Sequence, residues 1–188
     1  MIGIKKEFDF MISIKKIIVS VKKKLENVKK RSLYSLYIFI ILLLNLLIFI
    51  TPLLISTENE LGRILYSGFS FFCHQTPSHS FFLFNSQLPV CARDVGFYLG
   101  MLIGGIALPF LTKIENKKIP HLAIFILAIL PLAIDGITQL IGLRTSTNEL
   151  RFVTGFIAGV VIPFYLIPIV NKLKRGNAKL NTFSHLFI

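Results

Sequence analysis

Apolar residues in this chain come in long unbroken runs, and polar residues collect in the gaps between them. Ser32 to Thr57 holds no charged residue and has Leu42-Leu43-Leu44-Asn45-Leu46-Leu47 at its centre. Val95 to Thr112 is shorter and glycine-rich, and Ile119 to Leu143 is apolar except for His121, Asp135, Thr138 and Gln139. Phe152 to Asn171 is again uncharged. At about 1.5 Å per residue each run can cross a hydrocarbon core roughly 30 Å thick, the second only just. The first run is too long for a signal-peptide core. The pattern predicts an all-α fold, a polytopic membrane helix bundle with four transmembrane helices over about 33–56, 95–112, 120–143 and 151–170.

The connection 58–94 is long for a compact domain, and Ile64 to Cys91 contains no charge. Phe69, Phe71, Phe72, Phe81, Phe82 and Phe84 crowd into it, which argues against a disordered linker. It reads as a helix near Glu60–Phe72 and an apolar stretch near Ser80–Phe84. Non-helical backbone at membrane depth survives only when covered by protein. The connection should therefore form a structured outer lid, re-entrant or interfacial, packed over the bundle. Gly96, Gly100 and Gly104 in the second span, with Gly155 and Gly159 in the fourth, have the spacing that lets helix backbones approach closely. Packing within the chain is favoured over a homodimer face, and Asn45 is expected to make an interhelical hydrogen bond.

Charge fixes the orientation. Residues 1–31 carry nine lysines and Arg31, the second connection Lys113, Lys117 and Lys118, and the tail Lys172, Lys174, Arg175 and Lys179. The other two connections offer only Arg63, Arg93, Arg144 and Arg151. Lysine and arginine are retained on the cytoplasmic side. A multi-pass cell-membrane protein with both termini cytoplasmic follows, the lid lying outside. The chain divides into a basic arm 1–31, a transmembrane domain 32–171 and a basic tail 172–188. The arm reads equally as an amphipathic helix on the inner leaflet and as a solvated arm that only fixes topology.

Composition changes this picture little. Apolar residues make up 54% of the 188 and charged residues 16%, where a soluble domain carries about a quarter. The net charge of +12 is a membrane-facing charge. With no aromatic platforms among the basic residues, no nucleic-acid partner is expected. The lipid bilayer is the partner the sequence requires.

Chemistry gathers at the lid. Cys73-His74-Gln75 and Cys91-Ala92-Arg93-Asp94 bring both cysteines together with a histidine, an arginine and a carboxylate. The pair has three readings. A disulfide would close a loop of roughly 18 residues and contribute on the order of 3 kcal/mol, and outside the cell such bridges persist. A metal site, with zinc as the natural ion, would use Cys73, His74, Cys91 and Asp94. Thiol redox chemistry would cycle the pair between dithiol and disulfide, although no C-x-x-C motif is present. The disulfide leads.

A second group lies on the third and fourth spans. Asp135 and Gln139 are four residues apart on one helix face, and Arg144, Ser146, Asn148 and Arg151 follow. A carboxylate about 12 Å inside a helix end is costly unless paired or protonated. Arg144 and Arg151 are the available partners. In one reading Asp135 and Arg151 form an ion pair in a structural membrane subunit whose polar residues only hold helices together. In the functional reading, Arg93, Arg144, Asn148 and Arg151 bind an anionic envelope lipid or precursor, while Asp135 and Gln139 act as the catalytic pair that orients the headgroup or moves a proton.

These residues resemble a family of small prokaryotic integral membrane proteins classed as a domain of unknown function. Cys73, His74, Gln75, Pro77, Ser80 and Phe81 match its opening motif. Pro89, Cys91, Arg93, Gly96 and Tyr98 match a second motif, and Asp135, Gly136, Gln139, Gly142, Arg144, Asn148, Arg151, Thr154 and Gly155 a third. Asp94 stands where relatives have a third cysteine, and His79 where an arginine is common. The last two spans also show a short likeness to VanZ-like membrane proteins, which implies an envelope ligand for the lid end. The family implies no activity.

Overall fold

The computed structural model describes residues 2–114 and 118–184, with side chains at 19–20, 31–114 and 118–173. Helix α1 runs Ile2–Ser56 and α2 Glu60–Phe69. A 3-10 turn at Pro77–His79 and a minimal hairpin, β1 Phe82–Leu83 with β2 Ser86–Gln87, complete the lid. Then come α3 Ala92–Leu111, α4 Leu122–Leu140 and α5 Asn148–Ser184. Among the described residues, four stretches are long and apolar enough to cross a membrane: Arg31–Ser56, Ala92–Leu111, Leu122–Leu140 and Asn148–Leu173. The fold is an all-α membrane helix bundle. The amphipathic face expected of residues 2–30, and the charges of Lys117 and of the tail beyond Leu173, fall outside the described side chains.

Helix ends sit where capping chemistry puts them. The third apolar run was read to Leu143, yet α4 stops at Leu140. The Gly142 N–H bonds the Gln139 carbonyl at 3.1 Å and the Leu143 N–H bonds the Thr138 carbonyl at 3.0 Å. That double reversal requires a left-handed residue, and Gly142 supplies it at φ +74°. Asp135 is therefore only five residues from the helix end. The same reversal closes α1, with Glu58 in the left-handed position, and Asn59 then caps α2 by accepting from the Leu61 N–H at 2.9 Å. Helix α3 starts at Ala92 rather than Val95, because Cys91, in extended backbone, is its N-cap.

The α3–α5 seam is packed backbone to backbone. A Cβ on Gly96, Gly100 or Gly104 would collide with the carbonyls of Phe152, Phe156 and Val160, and one on Gly155 or Gly159 with those of Arg93 and Phe97. The glycine stripes thus serve packing within the chain. Helix α1 joins α3 through polar contacts to its carbonyls. Asn45 Nδ2 donates to Tyr98 at 3.1 Å, Tyr37 to Met101 at 2.9 Å and Tyr34 to Gly105 at 3.0 Å. Helix α4 is peripheral and presents Leu122, Ile126, Leu127, Leu130, Ile134 and Ile137 outward, as a lipid-facing helix should. At the end away from the lid it is tied by the Tyr165 hydroxyl, which donates to the His121 carbonyl at 2.8 Å.

The lid sits on the core. Phe69, Cys73, Leu88 and Val90 are buried with Ile48 of α1 and Val95 of α3, and Phe81, Tyr98 and Phe152 pack against them. The stretch near Ser80–Phe84 turns over as a hairpin, with Phe84 and Asn85 at φ 53° and 58° in its two-residue turn.

Candidate functional site

Two polar clusters meet at the lid end, and adjacent residues of α3 serve one each. Arg93 reaches towards α4, and Asp94 stays with the lid.

The first cluster centres on Asp135, which is 2% exposed. Its Oδ2 accepts from Arg93 Nη2 at 2.6 Å and from Gln139 Nε2 at 2.7 Å. Its Oδ1 accepts from Arg144 Nη2 at 2.9 Å and from the Ser146 hydroxyl. The reversal at Gly142 is what folds Arg144 and Ser146 back onto the carboxylate. Arg151 does not pair with Asp135 directly, contrary to the ion pair expected from sequence. Its Nε and Nη2 both donate to Gln139 Oε1, at 3.0 and 2.8 Å, so the two charges are coupled through one amide. Arg151 Nη1 donates to Asn148 Oδ1 at 3.1 Å and to the Ser78 carbonyl at 3.4 Å. With Asn148 Nδ2 donating to the Ser80 carbonyl at 3.2 Å, α5 is fastened to the lid.

The three expected guanidiniums therefore do come together, but unequally. Arg151 is 4% exposed and fully engaged, whereas the side chains of Arg93 and Arg144 are 28% and 48% exposed. Arg93 Nε is buried with no hydrogen-bond partner.

The second cluster holds the cysteines. Both are free thiols, so the expected disulfide is not formed. The Cys91 N–H donates to Cys73 Sγ at 3.2 Å, and the Cys91 thiol donates to Asp94 Oδ2 at 3.1 Å. Capping α3 aims Cys91 at Asp94, one turn along, instead of at its neighbour's sulfur. Cys73 Sγ, Cys91 Sγ and an Asp94 oxygen nonetheless lie within 4.8 Å of one another. His74 is not a member of this trio. It lines the adjoining cleft of about 230 Å³ together with Gln75, His79 and Arg93.

Ionisation within the pair is unequal. The nearby Cys91 side chain, aided by N–H donors of Gln75 and Cys91, lowers the Cys73 thiol to about 7. Cys91 moves the opposite way, because its closeness to Cys73, burial and the Asp94 charge all favour its keeping the proton. His79 is held below its ordinary pKa by desolvation and then by the Arg151 and Arg93 charges.

Some supporting residues had no role assigned from the sequence, although Gln75 lies in the opening motif. Gln75, at φ 51°, donates to the carbonyls of Tyr66 at 2.6 Å and Pro89 at 2.9 Å. Gln87 donates to the Gln75 carbonyl at 2.8 Å and to Ser80 Oγ at 3.1 Å. Two amides in an uncharged aromatic loop are the hint that its backbone needs internal donors. Ser146 stands in the group that follows Asp135, and its role could have been found from Gly142, since a reversal at a helix C-terminus returns the next few residues to the last turn.

Comparison with known proteins places the chain among predicted membrane proteins. A family model described as predicted membrane protein (DUF2085) matches residues 73–165, which takes in the cysteine loop, α3, α4 and most of the spanning part of α5. The uncharacterized protein MJ1492 of Methanocaldococcus jannaschii is 47% identical over 147 residues, covering 75% of this chain and 93% of that one. An uncharacterized protein of Methanothermobacter thermautotrophicus is 38% identical over 92 residues, 49% of this chain and 81% of its own. No solved structure matches. Four apolar spans, the matched segment and a near full-length relative lead to one assignment: the chain belongs to the DUF2085 family of predicted membrane proteins.

Proposed function

We propose that this membrane protein binds the anionic headgroup of a membrane lipid at its lid end, the end that the lysine asymmetry assigns to the outer face. One observation carries the reading: Arg93 and Arg144 both pair with a single buried carboxylate, Asp135, and Arg151 reaches it only through the Gln139 amide. Three positive charges against one leave an excess of two, in a setting where uncompensated charge is expensive. Asp94, which follows Arg93 in sequence, accepts from Cys91 instead. Arg93 and Arg144 retain exposure and donor capacity, and a phosphate or carboxylate fits a guanidinium fork.

The lid supports a lipid source for that anion. Phe71 and Phe72 are 89% and 77% exposed, which suits aromatic side chains lodged among acyl chains. In this reading Arg151 and Asn148 hold the lid, and Asp135 with Gln139 position the guanidiniums and do no proton transfer.

The test uses the full chain in nanodiscs and counts bound lipid by native mass spectrometry. Phosphatidylglycerol should be retained over phosphatidylcholine, and Arg144→Gln combined with Arg93→Gln should lower that preference about tenfold. Inorganic phosphate is the second arm: displacement of the lipid by phosphate alone would assign the site to a soluble anion. Equal retention of both lipids by the unmodified protein would reduce the cluster to a helix clasp.

A further inference from the structure

The cysteine trio plays no part in binding an anion, yet it is built as a site. We infer that Cys73, Cys91 and Asp94 bind a thiophilic divalent cation of the zinc class, with a fourth coordination position open to the adjoining cleft.

Spacing comes first. The three donor atoms lie within 4.8 Å of one another. A tetrahedral zinc with metal–sulfur bonds of about 2.3 Å holds two sulfurs about 3.8 Å apart, so closure needs a contraction of roughly 1 Å at most. Two sulfurs and one carboxylate make a soft donor set that favours zinc over calcium or magnesium.

The surroundings prepare the donors. Cys91 caps α3 and Asp94 lies in its first turn, where the helix N-terminus favours anionic ligands. The Cys91 N–H bond to Cys73 Sγ at 3.2 Å fixes the direction of that sulfur, as outer hydrogen bonds do around metal ligands. Gln75 clamps the turn after Cys73 through the carbonyls of Tyr66 and Pro89. Two thiolates and a carboxylate around a dication carry a net charge of −1, which is favourable beside Arg93 on the cleft wall.

His74 and His79 line the same cleft, so the fourth position is within a region that holds nitrogen donors. A position left to water or an exchangeable ligand is what separates a reactive zinc site from a purely structural one.

Cobalt is the probe. The full-length protein in detergent is reduced, stripped with chelator and titrated with Co²⁺. A single equivalent should bind with a thiolate-to-cobalt charge-transfer band that Zn²⁺ abolishes. Cys73→Ser and Cys91→Ser should each remove the band, while Asp94→Asn should keep it and weaken binding about tenfold. Should the serine variants fail to fold, alkylation of the unmodified protein decides: zinc must protect both cysteines together and chelator must expose them. Absence of a thiolate band in the reduced protein, or alkylation rates indifferent to zinc, would overturn the site. Arg144→Gln should leave the band unchanged, so this inference and the lipid reading can fail separately.

Discussion

Arg93 and Asp94 are neighbours in sequence, yet they join clusters built on opposite principles. Around Asp135 each carboxylate oxygen receives two side-chain donors, one of them a guanidinium, from residues on two helices and a turn. Around Cys73 and Cys91 the donors are few, the sulfurs stand apart and the space between them opens on a cleft. The first arrangement commits its carboxylate to fixing helices and keeps only the outward donors of Arg93 and Arg144 in reserve. The second leaves its ligand atoms available. A buried charge that is fully partnered is weak evidence of chemistry, whereas converging ligand atoms that lack a common partner are stronger evidence.

The widest separation should come from removing each carboxylate. Asp135→Ala strands two guanidiniums and frees Gln139, so unfolding in a detergent titration should show a loss of about 3–5 kcal/mol. Asp94→Asn gives up one bond from a thiol and should cost about 1 kcal/mol or less in metal-free protein. Similar losses for the two would erase the contrast.

The arginines should split next. Arg93 pairs with Asp135 at 2.6 Å from a side chain 28% exposed, and Arg144 at 2.9 Å from one 48% exposed. Arg93→Ala should cost about 2 kcal/mol, a charge-assisted bond lost in a partly buried place. Arg144→Ala should cost under about 1 kcal/mol, as expected for a pair open to solvent. A larger loss at Arg144 would make the turn, and not α3, the anchor of α4.

A smaller effect should come from the turn itself. Gly142 is left-handed at φ +74° with open space around its Cα, so Gly142→Ala adds backbone strain without a clash. A cost of about 1 kcal/mol is expected. Adding Arg144→Ala to that variant should then cost little more, since strain at the reversal already loosens the turn that returns Arg144 to Asp135.

Much of the bundle was legible because lipid imposes simple rules on sequence. Uncharged runs mark the spans, and glycines at every fourth residue mark the α3–α5 seam, where any side chain would meet a carbonyl. The i, i+4 spacing of Asp135 and Gln139 correctly placed both on one face, and Asn45 found its partner on α3. The partner of Asp135 was not legible. Three arginines lay within reach, and the choice depends on Gly142 turning the chain back and on Gln139 coming between Asp135 and Arg151. The hairpin was hidden too, because its turn is Phe84-Asn85, with no glycine to announce positive φ. Nor could spacing foretell free thiols, since Cys91 is directed by its capping position towards Asp94.

The finest test of the contrast is titration of His79, which lies on the cleft wall and senses the arginines. Desolvation, then the charges of Arg151 and Arg93, depress its pKa. In the unfolded chain the imidazole takes up a proton near the ordinary histidine value of about 6.5. The folded protein resists that proton, so stability conferred above pH 6.5 is lost as pH falls towards the lower folded value. His79→Gln should remove this part of the acid sensitivity and leave neutral stability unchanged. Followed by NMR, the His79 midpoint should lie below 6.5 in phosphatidylcholine nanodiscs and rise in phosphatidylglycerol, because a bound headgroup offsets the positive potential. A midpoint that ignores lipid charge would mean that no headgroup settles beside Arg93, and the positive excess would then have to be met within the protein, with Asp94 and Cys73 as the nearest source of negative charge.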